Sequence, residues 1–218
     1  MKKSIAFIFS VLLLSGCYNS YEDVVPVSFQ EIKLNPDEVF IYNGGNPLGT
    51  RLDPLLNDSI KVQVTVSYSV PSSGKISFVT NEGWFYKPND GFIGIDNFNY
   101  TACYNGSCQT SSIKMHVEQP LDPNNCTSQL NGETIETRKD QPIEIRLFMN
   151  DMVCPFSGLS ISKPDLGTFK TYSYSGGFKN IVYVYYPPKG FVGTDRIRYK
   201  IFTNAGDLQA IATITVKE

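Results

Sequence analysis

Tyr86-Lys-Pro88-Asn-Asp-Gly91-Phe92-Ile-Gly94-Ile-Asp96-Asn-Phe98-Asn-Tyr100 decides the fold, because it returns as Tyr185-Tyr-Pro187-Pro-Lys-Gly190-Phe191-Val-Gly193-Thr-Asp195-Arg-Ile197-Arg-Tyr199. The two Gly-Phe-x-Gly-x-Asp phrases stand 99 positions apart (190 − 91). A unit of about 90 residues has the size of one small β-sandwich. Around the repeat, Ile60 to Val70, Ser112 to Val117 and Ala212 to Val216 alternate apolar and polar residues. Period two with β-branched and aromatic side chains reads as half-buried strands. The expected fold is therefore all-β, two tandem sandwiches. Residues 29–118 form the first, 119–125 a linker with two prolines, and 126–218 the second.

Composition agrees. The chain of 218 residues is 41% hydrophobic and 13% aromatic, enough for a packed core in each unit. Charged residues make up 18%, and 17 glycines and 13 prolines favour turn-rich β structure over helix. The net charge is −2 with no Lys/Arg cluster, so the chain has no electrostatic footprint for nucleic acid.

The first residues read as an export signal. Met1-Lys-Lys precedes Ile5 to Leu14, an apolar run of 10 residues interrupted only by Ser10. A membrane-spanning helix takes roughly 20, whereas a secretory leader fits this length. Leu14-Ser15-Gly16-Cys17 resembles the bacterial lipobox. That resemblance implies a lipoprotein signal peptide at 1–16, a lipidated Cys17 and a tether over 17–28, and hence a membrane partner through the lipid anchor. Tyr18, rather than Asp, after the cysteine is similar to signals that permit transfer to the outer membrane, and Glu22-Asp23 resembles the acidic surface-export signal of Bacteroidota lipoproteins. The implied location is the cell envelope.

Leu52-Asp53-Pro-Leu55-Leu56-Asn57-Asp58, an alternating strand, Tyr-x-Pro-x-x-Gly-Phe-x-Gly-x-Asp-x-Phe-x-Tyr and a closing Thr/Ile/Val strand together resemble the bacterial Ig-like, cadherin-like repeats. The second unit matches through Arg146-Leu147-Phe148-Met149-Asn150-Asp151 and Ala212 to Val216, with Ile197 in place of Phe98. The resemblance implies Ig-like domains of a surface protein. Tyr100 and Tyr199 resemble the tyrosine corner, whose hydroxyl bonds back to the backbone.

With Cys17 assigned to lipid, four cysteines remain. Cys103 and Cys108 bracket Asn105-Gly106, the strongest two-residue hairpin signal. That turn makes them a non-hydrogen-bonded cross-strand pair with Cα atoms about 4.5 Å apart, within disulfide range. Cys126–Cys154 follows by exclusion. The rival reading, a metal site built from all four cysteines, lacks the closely paired cysteine knuckles of zinc.

Motifs of catalysis are not visible. His116 is the single histidine and falls on an outward phase, and G-x-S-x-G, H-E-x-x-H and the P-loop are absent. The chain is expected not to be an enzyme and to carry no cofactor. Calcium is the alternative, with Asp58, Asp96, Asp151 and Asp195 as candidate ligands; turn capping is the preferred role for Asp96 and Asp195. The expected function is an adhesion, scaffold or spacer module. The alternative is a receptor for glycan or another ligand. It rests on Tyr172, Tyr174, Phe178 and Tyr186, around a strand from Asn180 to Tyr186 that is apolar on both phases.

Overall fold

The computed structural model describes residues 32–44, 46–122 and 124–218; the signal peptide, Cys17 and the tether lie outside them. The first unit contains Ile32–Lys33 (β1), Asp37–Tyr42 (β2), Thr50–Arg51 (β3), Ser59–Ile60 (β4), Thr65–Tyr68 (β5), Gly74–Val79 (β6), Gly83–Pro88 (β7), Gly94–Tyr104 (β8) and Ser107–Glu118 (β9). A four-stranded sheet of order β2-β9-β8-β5 faces a three-stranded one of order β3-β7-β6. The second unit repeats this with Glu133–Arg138 (β10), Ile143–Arg146 (β11), Gly158–Ile161 (β12), Thr168–Ser173 (β13), Ile181–Tyr186 (β14), Gly193–Thr203 (β15) and Gly206–Lys217 (β16). Its sheets run β10-β16-β15-β12 and β11-β14-β13. The fold is all-β, a tandem of Ig-like sandwiches.

The repeated phrase builds equivalent parts of both cores. Tyr86, Tyr100, Tyr185 and Tyr199 lie between the sheets and are at most 1% exposed. An aromatic ring buries roughly 150–250 Å², worth about 4–6 kcal/mol as an upper bound. In both copies the Gly-Phe-x-Gly turn closes over itself. Gly94 and Gly193 take φ of 139° and 147°, and a Cβ there would meet the rings of Phe92 and Phe191 at 3.5 and 3.0 Å. Only glycine combines that backbone with that ring contact.

The run from Ile60 to Val70 is not one strand. Its alternation persists, but β4 pairs with β1 while β5 pairs with β8, and residues 61–64 pass between the two partners. Side-chain periodicity records which face is buried and does not record a change of partner.

Candidate functional site

The most elaborate constellation of buried polar groups lies where the two sandwiches meet. Equivalent glycines, Gly74 and Gly167, are 93 positions apart, whereas Tyr86 and Tyr185 are 99 apart (167 − 74 and 185 − 86). The second repeat therefore carries six extra residues between them. They enlarge the connection from β13 to β14, residues 174–180, which reaches over to β2 of the first unit.

Every contact there is specific. The Asn180 side chain is fully buried; its Oδ1 accepts from the Phe40 N–H at 2.7 Å, and its Nδ2 donates to the Phe40 carbonyl at 2.7 Å. One amide thus supplies the donor and acceptor of a missing neighbouring strand, covering the free edge of β2. A second bond from Nδ2 to the Ser175 carbonyl, 2.8 Å, fixes the loop's own shape. Gly176, at φ 112°, allows the approach, since a Cβ would stand 2.9 Å from the Phe40 carbonyl oxygen. The Tyr174 hydroxyl donates to Asp37 Oδ1, and Lys179 Nζ donates to both carboxylate oxygens of Glu118 at 2.9 and 3.0 Å. The Arg146 guanidinium lies 5.9 Å from the Phe40 ring centre and 5.7 Å from that of Tyr174. Val182, wholly buried, joins the apolar core of the first unit with Val39, Ile41 and Tyr174.

Asp37 is the electrostatic focus. It is 3% exposed, and Oδ2 has no hydrogen-bond partner among the described residues. Burial pushes its carboxyl up to about 8. The Tyr174 hydrogen bond and Arg146 pull the other way, and Asp58 and Glu144 add to the rise.

Each of the four acids proposed as calcium candidates accepts at least one hydrogen bond within the protein, although Asp151 Oδ2 has no partner among the described residues. Asp96 accepts from Ser72 N (3.1 Å), Ser72 Oγ (2.8 Å), Ser73 N (2.9 Å) and the Tyr86 hydroxyl (2.9 Å). Despite its burial, these bonds hold Asp96 below the usual carboxylate range. Asp195 accepts from the equivalent Tyr185 hydroxyl and from Leu166 N and Gly167 N, turn donors shifted by one residue relative to the first repeat. Both carboxylates bond backbone N–H groups of a turn that leads into the facing sheet, and Asp195 accepts as well from the neighbouring Arg196 N at 2.7 Å. Asp58 accepts from Asn35 N at 2.7 Å and from the Tyr100 hydroxyl at 2.9 Å, and Asp151 accepts from Asn131 N at 2.5 Å. Burial raises both Asp58 and Asp151. Among the described residues no group of three or more His, Cys, Asp or Glu side chains is arranged to hold a metal ion.

Both tyrosine-corner hydroxyls bond to the backbone. Tyr100 donates to the Asn35 carbonyl at 2.8 Å, and Tyr199 donates to that of Asn131. Each hydroxyl ties its strand to a segment more than 60 residues earlier, because that segment runs beside it in space.

Both expected disulfides are present, Cys103–Cys108 and Cys126–Cys154, with Cα atoms 4.1 and 5.8 Å apart. The hairpin register is Tyr104 opposite Ser107 and Cys103 opposite Cys108. His116 is more enclosed than an outward phase suggests: its ring stacks on Phe40 at 4.3 Å, and Nε2 lies 2.6 Å from Glu38.

The aromatics proposed for ligand binding do not form one surface. Tyr174 is buried in the contact between the units, and Tyr172 packs beside it while donating to Glu144 at 2.6 Å. Phe178 packs edge-on against Phe148 and Phe156 in the second core. Tyr186 stays half-buried, with Lys170 Nζ 5.7 Å from its ring centre. The outward phase of β14 thus meets the chain's own first unit at Val182. A separate aromatic cluster, missed in the sequence, stands at one edge of the first unit. There Trp84 meets Phe78 at 5.2 Å and Tyr68 at 5.4 Å, and Phe78 is 59% exposed. The Phe78–Trp84 pairing across β6 and β7 follows from the hairpin register.

Among solved structures, the chain is similar to an endo-fucoidan hydrolase of glycoside hydrolase family 107, at 14% identity and TM-score 0.31, covering 71% of this chain and 28% of that one. It is also similar to the titin Ig tandem A164-A165, at 9% identity and TM-score 0.25, covering 85% and 95%. For Drosophila N-cadherin EC1-4 the identity is 12% and the TM-score 0.31, covering 86% and 49%. The chain thus spans 28% of the length of that hydrolase. No curated protein matches the chain. Residues 25–117 match the family model of the bacterial Ig domain, and the second repeat builds the same sandwich, so the chain has a tandem Ig-like fold.

Proposed function

We propose that this chain is a lipid-anchored module of the cell envelope, an adhesion, scaffold or spacer unit at the outer membrane, and not an enzyme. The observation that carries the reading is the buried contact between the sandwiches, in which Asn180, Tyr174 and Val182 join the second unit to β2 of the first. Two Ig-like units locked in this way form a stiff body suited to holding a partner away from a surface. The stretch Leu14-Ser15-Gly16-Cys17 supports the anchor, since acyl chains on Cys17 would contribute about 0.8 kcal/mol per buried methylene. The partner class is protein or glycan. Cys17→Ser is expected to abolish palmitate labelling and to move the protein out of the membrane fraction. A variant that still labels and sediments with membranes refutes the anchor. Deleting the chain is expected to reduce attachment of the cells to a surface or neighbour.

A second reading, ligand binding through an aromatic edge, is favoured by Phe78, 59% exposed, beside the half-buried Trp84 and Tyr68. A glycan array on the parent and on Phe78→Ala separates the readings: array binding lost in the variant supports a receptor.

A further inference from the structure

We propose that the contact between β2 and residues 174–180 is a pH-governed latch, which holds the two sandwiches together in mild acid and loosens in mild alkali. Its sensor is Asp37. When the latch is closed, this side chain is 3% exposed, with Oδ1 taken by the Tyr174 hydroxyl and Oδ2 without a partner among the described residues. A neutral acid tolerates that setting; a carboxylate would leave a charged oxygen buried and unsolvated.

The surrounding groups decide the balance. Tyr172 and Tyr174 face Asp37 from β13 and the loop after it, and Arg146 and Glu144 from β11. Asp58 faces it from the segment before β4, Tyr68 from β5 and Tyr100 from β8. On the other side of β2, Glu38 contacts His116 at 2.6 Å and Lys114 at 3.6 Å. Two acids and one cation act on Asp37 by charge, so burial and like charge outweigh Arg146 and the tyrosine bond.

The direction follows from proton linkage. Opening the latch returns Asp37 to water, where an aspartate ionises near about 4. Closed, the carboxyl keeps its proton up to about 8. Between those values the closed form binds more protons than the open one, so raising the pH favours opening. The contact is strongest below the open-state pKa and weakens steadily as the pH climbs to the closed-state one.

The Phe40 amide reports the latch directly, since its hydrogen bond goes to Asn180 Oδ1. Hydrogen exchange of the mature full chain, corrected for intrinsic rates, is expected to lose about tenfold or more of the Phe40 protection between about pH 5.5 and about pH 8.5. Protection that does not change overturns the proposal. Asp37→Asn, which cannot ionise, is expected to show the same protection at both values; an Asn variant that keeps the parent's pH dependence also overturns it. Tyr174→Phe keeps the ring and removes a donor to the carboxylate, so it is expected to move the upper end of the transition to higher pH. A shift downward, or none, counts against Asp37 as sensor, and this variant carries the test if Asp37→Asn fails to fold. His116→Gln is expected to keep the pH dependence; its loss there would assign the switch to the imidazole and refute Asp37.

Discussion

Removing the carboxyl of Asp96 strands four donors at once: two backbone N–H groups, the Ser72 hydroxyl and the buried Tyr86 hydroxyl. Hydrogen bonds to a charged group contribute about 1.5–3 kcal/mol each, and those to Asp96 share one loss, so Asp96→Ala is expected to cost roughly 3 kcal/mol. Asp195→Ala is expected to cost a similar amount. Thermal melting with and without millimolar calcium checks this, because a bound ligand would raise the parent's midpoint and capping would not. Calcium stabilisation of the parent that either variant abolishes would make the pair metal ligands instead. Because Asp96 is held low in the fold, its contribution is complete above the unfolded pKa of about 4 and is lost as the pH falls through the folded value. Asp96→Asn is expected to flatten that acid limb. The motif itself was legible at this scale, since Gly94 and Gly193 each sit under a neighbouring phenylalanine ring. The receiving turn was not. Ser72 lies 24 positions before Asp96, and only the pairing of the sheets brings it near.

At the scale of elements, the two disulfides differ in how much chain they close. The sequence separations are 5 and 28. Loop-closure entropy gives about 2 kcal/mol for the short loop and about 3.5 for the long one. The β8–β9 turn is also shaped without its bridge, by Asn105 at φ 46° and Gly106 at φ 82°, as a two-residue hairpin turn requires. Urea unfolding of the paired Cys→Ser variants is therefore expected to show the larger loss for Cys126 and Cys154. A larger loss at Cys103 and Cys108 would mean that the hairpin depends on its bridge. The pairings could be read from the sequence because Asn-Gly dictates register. The extra connection at 174–180 left a trace as well, in the change of spacing from 93 to 99, but spacing alone does not say what an added loop touches. The strand β14 could be read only in part: apolar on both phases, it is covered by a ligand or by the protein itself, and its pattern does not say that Val182 enters the first unit's core.

Across the whole molecule, the buried contact predicts shared stability. Asn180→Ala would orphan the Phe40 N–H and carbonyl, at a cost of about 2–4 kcal/mol. Calorimetry of the parent is expected to show one unfolding transition, and the variant two, as each sandwich melts by its own core. Two transitions in the parent would mean that the contact does not couple them. The chain's two-unit plan could be read from its repeat, whereas the coupling could not, because a Pro-containing connection at 119–125 suggests independent units.

In each sandwich the first long strand runs parallel to the last: Asp37–Tyr42 beside Ile113–Glu118, and Glu133–Arg138 beside Ala212–Lys217, six residue pairs each. Tension between the ends of a unit would pull these neighbours past each other along their length. All the hydrogen bonds of the pair then lie across the force and must yield together, whereas a hairpin pulled open at its mouth gives way one bond at a time. A body tethered at one end and gripped at the other would meet strain with its most resistant geometry, twice in series.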